Sequence, residues 1–260
     1  MKHFSSIGET LNTIRQRIEN ADSLPEQNPD AQCPLCDGYG NIIDENGARP
    51  CSCVKKEIVH SGIAKAHIPS RFDGESLETF KPKSIFHKVF LKKSYNYVKN
   101  YSLKNPKGLY IYGPTGTGKT HLAIGILKAL INRGFDGVFY NVVDLLDDIR
   151  ATFNPQLDDA PQTRLLRDLE RQIFVLDDFG MQRTSPWVVD RLYALINRRY
   201  QDCKTIIITS NIELKDLLIQ VNSAQASRII DMCDDFVISG DDYRQVRKYE
   251  PRGGQAHGPA

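Results

Sequence analysis

The residues best equipped for chemistry are Gly113, Pro114, Thr115, Gly116, Thr117, Gly118, Lys119 and Thr120. Two glycines bracket four residues and a Lys-Thr pair follows, which is the spacing of a phosphate-binding loop. Glycine lets the backbone wrap closely, so the N–H groups of 116–120 point at phosphate oxygens. The helix that follows adds the partial positive charge of its first turn. Lys119 reaches the outer phosphates of a nucleoside triphosphate, the Thr120 hydroxyl takes one Mg²⁺ position, and His121 lies beside them at the helix start. The chemistry is binding of ATP with Mg²⁺, and it requires a strand before the loop and an amphipathic helix after it.

Such a loop also needs a carboxylate at the end of a neighbouring strand. Ile173-Phe174-Val175-Leu176 is an apolar run followed by Asp177 and Asp178. Asp177 is placed to hold Mg²⁺ through water, and Asp178 to polarise the attacking water. Asp178-Phe179-Gly180 also reads as the kinase D-F-G triplet, but the chain has no H-R-D loop, so that reading fails. A third run, Thr205–Thr209, leads into Ser210 and Asn211, putting polar groups where a γ-phosphate or its water would lie.

A second constellation is Cys33, Cys36, Cys51 and Cys53. Four thiolates at C-x₂-C and C-x-C spacing suit tetrahedral Zn²⁺, with His60 or His67 able to replace one of them. The 14 residues between the two pairs accommodate a hairpin, for which Asn46-Gly47 supplies turn chemistry. So small a segment buries little core, and the metal would fold it. Cys203 and Cys233 stand apart beside apolar residues and read as small buried hydrophobes.

The elements that position these groups follow from periodicity. Strands are expected at 109–112, 137–141, 173–176, 205–209 and 236–238, and helices at 119–132, 143–153, 186–201 and 213–220. Short apolar strands alternating with helices imply an α/β fold, a parallel sheet covered on both faces. Ser185 before Pro186 marks a helix start. Upstream, Val54–Ala66 has helical character. Residues 1–25 form another candidate helix, with an apolar stripe of Ile7, Leu11, Ile14 and Ile18. Between Lys83 and Lys107 lie several lysines and no acid, with Tyr95, Tyr97 and Tyr101 interleaved. The apolar set there (Ile85, Phe86, Val89, Phe90, Tyr97, Tyr101) has helical spacing, and both a solvated lysine face and a nucleic-acid contact fit it.

With 40% apolar and 25% charged residues the 260-residue chain has ordinary globular composition, which excludes fibrous and wholly disordered classes. No apolar run is long enough for a membrane span, and the first 20 residues lack a signal-peptide core, so a cytoplasmic protein is expected. A net charge of +2 gives no global attraction to nucleic acid.

Taken together, the phosphate loop, Asp177-Asp178-Phe179-Gly180, Thr209-Ser210-Asn211, Ser227-Arg228-Ile229 and Ser239 through Arg244 resemble the AAA+ ATPases of the DnaC/DnaI/IstB type. Ile68 to Phe72, Leu77 to Phe80 and Asp144-Leu145-Leu146 are similar to that family as well. The resemblance spans roughly 60–245. It implies the AAA+ sheet order, a sensor role for Asn211, an arginine finger at Arg228 and a second sensor at Arg244. It further implies a loader of a replicative DnaB-type helicase that hydrolyses ATP, binds single-stranded DNA and forms a homo-oligomer on binding ATP. Asp178 departs from the glutamate commoner among AAA+ proteins, and its shorter side chain suggests slow turnover. The expected organisation is a helix plus a four-cysteine zinc module at 1–67 that docks the helicase, an AAA+ domain at 68–248 and a disordered tail at 249–260. The alternatives are an IstB-like transposition helper, a small-molecule kinase, and a nucleotide-gated adaptor with little hydrolysis. The kinase would need a substrate lid, for which the acidic loop expected at 154–163 is too short.

Overall fold

In the computed structural model, residues 33–36, 41–44, 47–153, 160–180, 185–220 and 223–240 are described. The expected amino-terminal helix, the tail and Arg244 lie outside them. The chain divides into two compact units, 1–58 and 59–260. The first contains an antiparallel hairpin, β1 (Asn41–Asp44) with β2 (Gly47–Pro50), and the start of α1 (Ser52–Ala64). Gly47 already lies in β2, opposite Asp44. The connection therefore sits one residue earlier than the Asn-Gly pair suggests.

In the second unit, side chains alternate between the two faces of a parallel sheet. Its strands are β3 (Gly108–Tyr112), β4 (Gly137–Asn141), β5 (Ile173–Phe179), β6 (Thr205–Ser210) and β7 (Cys233–Val237). Their order is β4-β5-β6-β3-β7, with every pairing parallel. Leu109, Ile111, Ile173, Val175 and Ile207 enter one core, with α2 (Ile85–Asn100) and α3 (Lys119–Asn132) over it. Tyr110, Phe174, Leu176, Ile206 and Ile208 enter the other. That face is covered by α4 (Val142–Ala151), α5 (Ala160–Leu169), α6 (Pro186–Gln201), α7 (Leu214–Gln220) and α8 (Ser223–Met232). Burial on both faces explains why the strands read as continuous apolar runs. Among the described residues no helix is long and apolar enough to cross a membrane.

Three expectations need correction. β7 begins at Cys233 rather than Phe236, since an edge strand tolerates the exposed Asp234 and Asp235. Residues 160–163 are helical and open α5. On α2 the core-facing stripe is His87, Phe90, Ser94 and Val98, whereas Ile85, Phe86 and Val89 face solvent. Of the expected apolar set, Phe90 and Tyr101 are buried and Tyr97 packs against the core, while Ile85, Phe86 and Val89 are displaced from it because a histidine and a serine occupy buried positions.

Candidate functional site: a nucleotide cavity and a thiol cluster

The phosphate loop leaves the carboxyl end of β3, between β6 and β7, the end of an open parallel sheet at which ligands bind. Its first glycine has no substitute: Gly113 has φ +150°, and a Cβ there would lie 1.8 Å from the Ile238 carbonyl oxygen. Gly118 caps α3 in the left-handed region at φ +91°, and a Cβ would meet Phe80 Cε2 at 2.9 Å. Lys119 is buried, and its ammonium donates to the carbonyls of Gly113 (2.9 Å) and Pro114 (2.7 Å). A phosphate would draw the same cation off the loop.

Thr120 Oγ1 donates to Asp177 Oδ1 at 2.8 Å, which brings together the two expected Mg²⁺ ligands. Thr209 Oγ1 donates to the same oxygen at 2.5 Å and accepts from the Asp178 amide at 3.0 Å. Burial pushes the Asp177 carboxyl above its usual range, against the Thr209 and Thr120 hydrogen bonds. A divalent cation would offset that burial, so an oxygen-lined corner of hydroxyl and carboxylate fits Mg²⁺. Asp178 sits at φ +60°, and the β5–β6 register shifts between Leu176 and Phe179. Such a bulge turns successive acids in different directions. Asp177 is buried, while Asp178 is exposed and reaches the cavity, with Asn141 Nδ2 at 3.5 Å from its carboxylate.

The cavity is about 710 Å³, and Thr115–His121, Asp178 and Asn211 share its lining. Asn211 Oδ1 is buried without a hydrogen-bond partner among the described residues. The opposite wall escaped the sequence reading as functional. Arg71, Phe72, Glu75, Thr79, Phe80 and Lys81 supply it from the stretch ahead of α2. His121 ties this wall to the loop, its Nε2 lying 2.8 Å from the Ser76 carbonyl and its Nδ1 paired with Glu75. Lys128, buried on α3, donates to the carbonyls of Phe72 (2.7 Å), Asp73 (2.8 Å) and Glu75 (2.8 Å). No motif marks Lys128, whose only signal is a lysine on the core face of an otherwise apolar helix. Thr209 opens the Thr209-Ser210-Asn211 stretch, which says nothing of its bond to the Asp177 carboxylate.

Arg228 does not line this cavity. Its guanidinium donates to Ala224 O at 2.8 Å and lies over the rings of Tyr193 and Tyr200, 5.2 and 5.7 Å from their centroids.

In the first unit the four sulfurs of Cys33, Cys36, Cys51 and Cys53 lie within 4.8 Å of one another. Cys33 and Cys51 are 3.7 Å apart, and Cys36 and Cys53 3.4 Å. A tetrahedron with Zn–S bonds of about 2.3 Å has edges of about 3.8 Å, so the cluster fits Zn²⁺. Hydrogen bonding, led by the Cys53 backbone, draws the Cys51 thiol down to about 6, while Cys53 is pushed up to about 12 chiefly by its bond to Cys51.

Sheet order, phosphate loop and acid pair define an AAA+ P-loop ATP-binding domain. The family model for IstB-like ATP binding proteins matches residues 93–251, and the chain belongs to that family. The crystal structure of the DnaC helicase loader is 30% identical, with a TM-score of 0.60 over 66% of this chain and 100% of that one. The replicative helicase loader DnaC of Buchnera aphidicola subsp. Baizongia pistaciae is 29% identical over 195 residues, 74% of this chain and 75% of its own. YqaM of Bacillus subtilis is 24% identical over 204 residues, and the match spans 63% of its length. The chain is therefore a member of the DnaC/DnaI/IstB-like AAA+ group.

Proposed function

We propose that the protein hydrolyses ATP to load a replicative DnaB-type helicase onto single-stranded DNA. The observation that carries this reading is the cavity itself, which combines a triphosphate loop, an adjoining Thr120–Asp177 metal corner and the Asn211 side chain in a DnaC-like fold. Lys119 and the loop amides bind the phosphates, and Thr120 and Asp177 hold Mg²⁺, which neutralises charge on the transferred group. Asp178 orients the attacking water, and Asn211 senses the γ-phosphate. Arg228 lies away from its own cavity, which favours service at a neighbour's. ATP then promotes a homo-oligomer in which that arginine completes each site, while Arg244 reads nucleotide held by its own chain. The thiol cluster binds Zn²⁺ and shapes a module that docks the helicase.

Purified protein mixed with its resident replicative helicase should co-elute with it, and MgATP should increase helicase deposited on single-stranded DNA. Failure to form a complex would overturn the loader reading and leave the ATPase intact. The family match also favours a second reading, a helper of DNA transposition. Co-elution with a transposase in place of the helicase would select it.

A further inference from the structure

The exposed side of α2 joins two features that seldom share one surface. Ile85, Phe86 and Val89 are 72%, 55% and 47% exposed, although the helix is firmly seated by His87, Phe90, Ser94 and Val98. Around and beyond them stand Lys88, Lys92, Lys93 and Lys99, all exposed. From Thr79 to Phe135 the chain contains no acid, in a protein whose net charge is only +2. The carboxylate bonded to this helix is Glu78, which accepts from the Tyr95 hydroxyl. Among the described residues no carboxylate forms an ion pair with Lys88, Lys92 or Lys99. Lys93 leans over the Phe236 ring, 5.4 Å from its centroid. Of the three tyrosines the sequence offers for stacking, Tyr95 is exposed and its hydroxyl donates to Glu78, while Tyr97 and Tyr101 are not available. The Tyr97 hydroxyl donates to Lys107 O, and Tyr101 is buried and shares a hydrogen bond with Thr205.

Opposite α-helical faces are set by 3.6 residues per turn, which puts Ile85, Val89, Lys92, Asn96 and Lys99 along one line away from the core. Phe86 and Lys93 flank it on one side and Lys88 on the other. From Lys88 to Lys99 the line runs about 16 Å at 1.5 Å per residue. A polyanion satisfies the lysines, but a duplex keeps its base faces stacked inside and offers nothing to Phe86, Ile85 and Val89. A single strand bares both phosphates and base faces, and sequence-tolerant sites for it combine a basic track with an aromatic platform.

We infer that this face of α2 is a docking surface for single-stranded nucleic acid, with Lys88, Lys92 and Lys99 on the phosphates and Phe86 against a base. The inference rests on the DNA-loading reading and deepens it by naming the surface.

The test is fluorescence anisotropy of a labelled 20-nucleotide oligo-dT with the full chain, at several salt concentrations. The variants are Lys88→Gln/Lys92→Gln and Phe86→Ala, all at solvent-facing positions, with MgATP affinity measured alongside. Losing two phosphate contacts should flatten the log–log salt slope by about 1.4. Loss of one stacked base should weaken binding about 5- to 100-fold with little change of slope. MgATP affinity should not move in either variant. If wild type binds oligo-dT and both variants bind it equally well, the α2 surface is wrong and DNA binding by the protein stands. If wild type binds no oligo-dT while binding MgATP, the inference and the DNA-loading reading fall and the ATP site stands. Binding of phosphatidylserine vesicles but not oligo-dT, lost in the same variants, would overturn the inference in favour of a membrane surface.

Discussion

Replacing Lys128 with methionine isolates what the second wall of the cavity contributes. Methionine matches the apolar stem up to Cε and removes the ammonium with its three charge-assisted hydrogen bonds, to Phe72 O, Asp73 O and Glu75 O at 2.7–2.8 Å. Hydrogen bonds to a charged group contribute about 1.5–3 kcal/mol each. The sum is an upper bound, for two reasons. Asp73 is exposed and Phe72 and Glu75 only half-buried, so water can take over part of the bonding. Burial also holds the Lys128 ammonium below its usual range, and that desolvation cost disappears with the charge. A net loss of about 2–3 kcal/mol is expected, felt mainly by the stretch from Ser70 to Lys81. Because that stretch lines the cavity, the MgATP dissociation constant should rise about 10- to 30-fold, whereas the urea midpoint falls with an unchanged m-value. Fluorescent-nucleotide titration and urea unfolding on the same preparation measure both. A dissociation constant within about twofold of wild type, with unfolding free energy lowered by about 2 kcal/mol, would refute the idea that Lys128 shapes the nucleotide site.

Further outcomes follow from the two sites. Lys119→Ala removes the loop's side-chain cation and should abolish MgATP binding in the same titration. Metal analysis of protein purified under reducing conditions without chelator should find about one zinc per chain. Cys36→Ser should lose that zinc and, by limited proteolysis, open the segment around 33–58 while still binding MgATP. Arg228→Ala should bind MgATP normally and hydrolyse it about 10³-fold more slowly, as expected for loss of an arginine finger. Mixing it with Lys119→Ala should restore part of the rate, whereas near-normal turnover by Arg228→Ala alone would remove the trans-acting site.

The parts legible in the sequence are those where backbone chemistry permits few residues. Gly113 and Gly118 are fixed by a clash and a left-handed φ, so the loop is visible as spacing alone. Likewise the acid pair ending an apolar run marks β5, because burial on both faces removes polar residues up to the point where function needs one. What stays hidden depends on tertiary contact. Lys128 gains a role only from the carbonyls of Phe72, Asp73 and Glu75 around it, which come from a stretch some 55 residues away in the chain. On α2, Phe90 is buried as expected, but Ile85, Phe86 and Val89 are not, because His87 and Ser94 are buried by packing that no propensity encodes. β7 is shortened because its exposed acids lie on a sheet edge. For Thr209 the hydroxyl gains meaning only from the neighbouring strand's carboxylate.

The central claim is that Asp177 and Asp178 divide metal binding from water activation within one ATPase site. Phosphate release and MgATP affinity, measured together for wild type and Asp178→Asn in the presence of single-stranded DNA, test it most directly. Affinity should stay unchanged and turnover should fall at least about 100-fold, since a correctly placed general base contributes about 10²–10⁴-fold. Equal turnover by wild type and Asp178→Asn would contradict it.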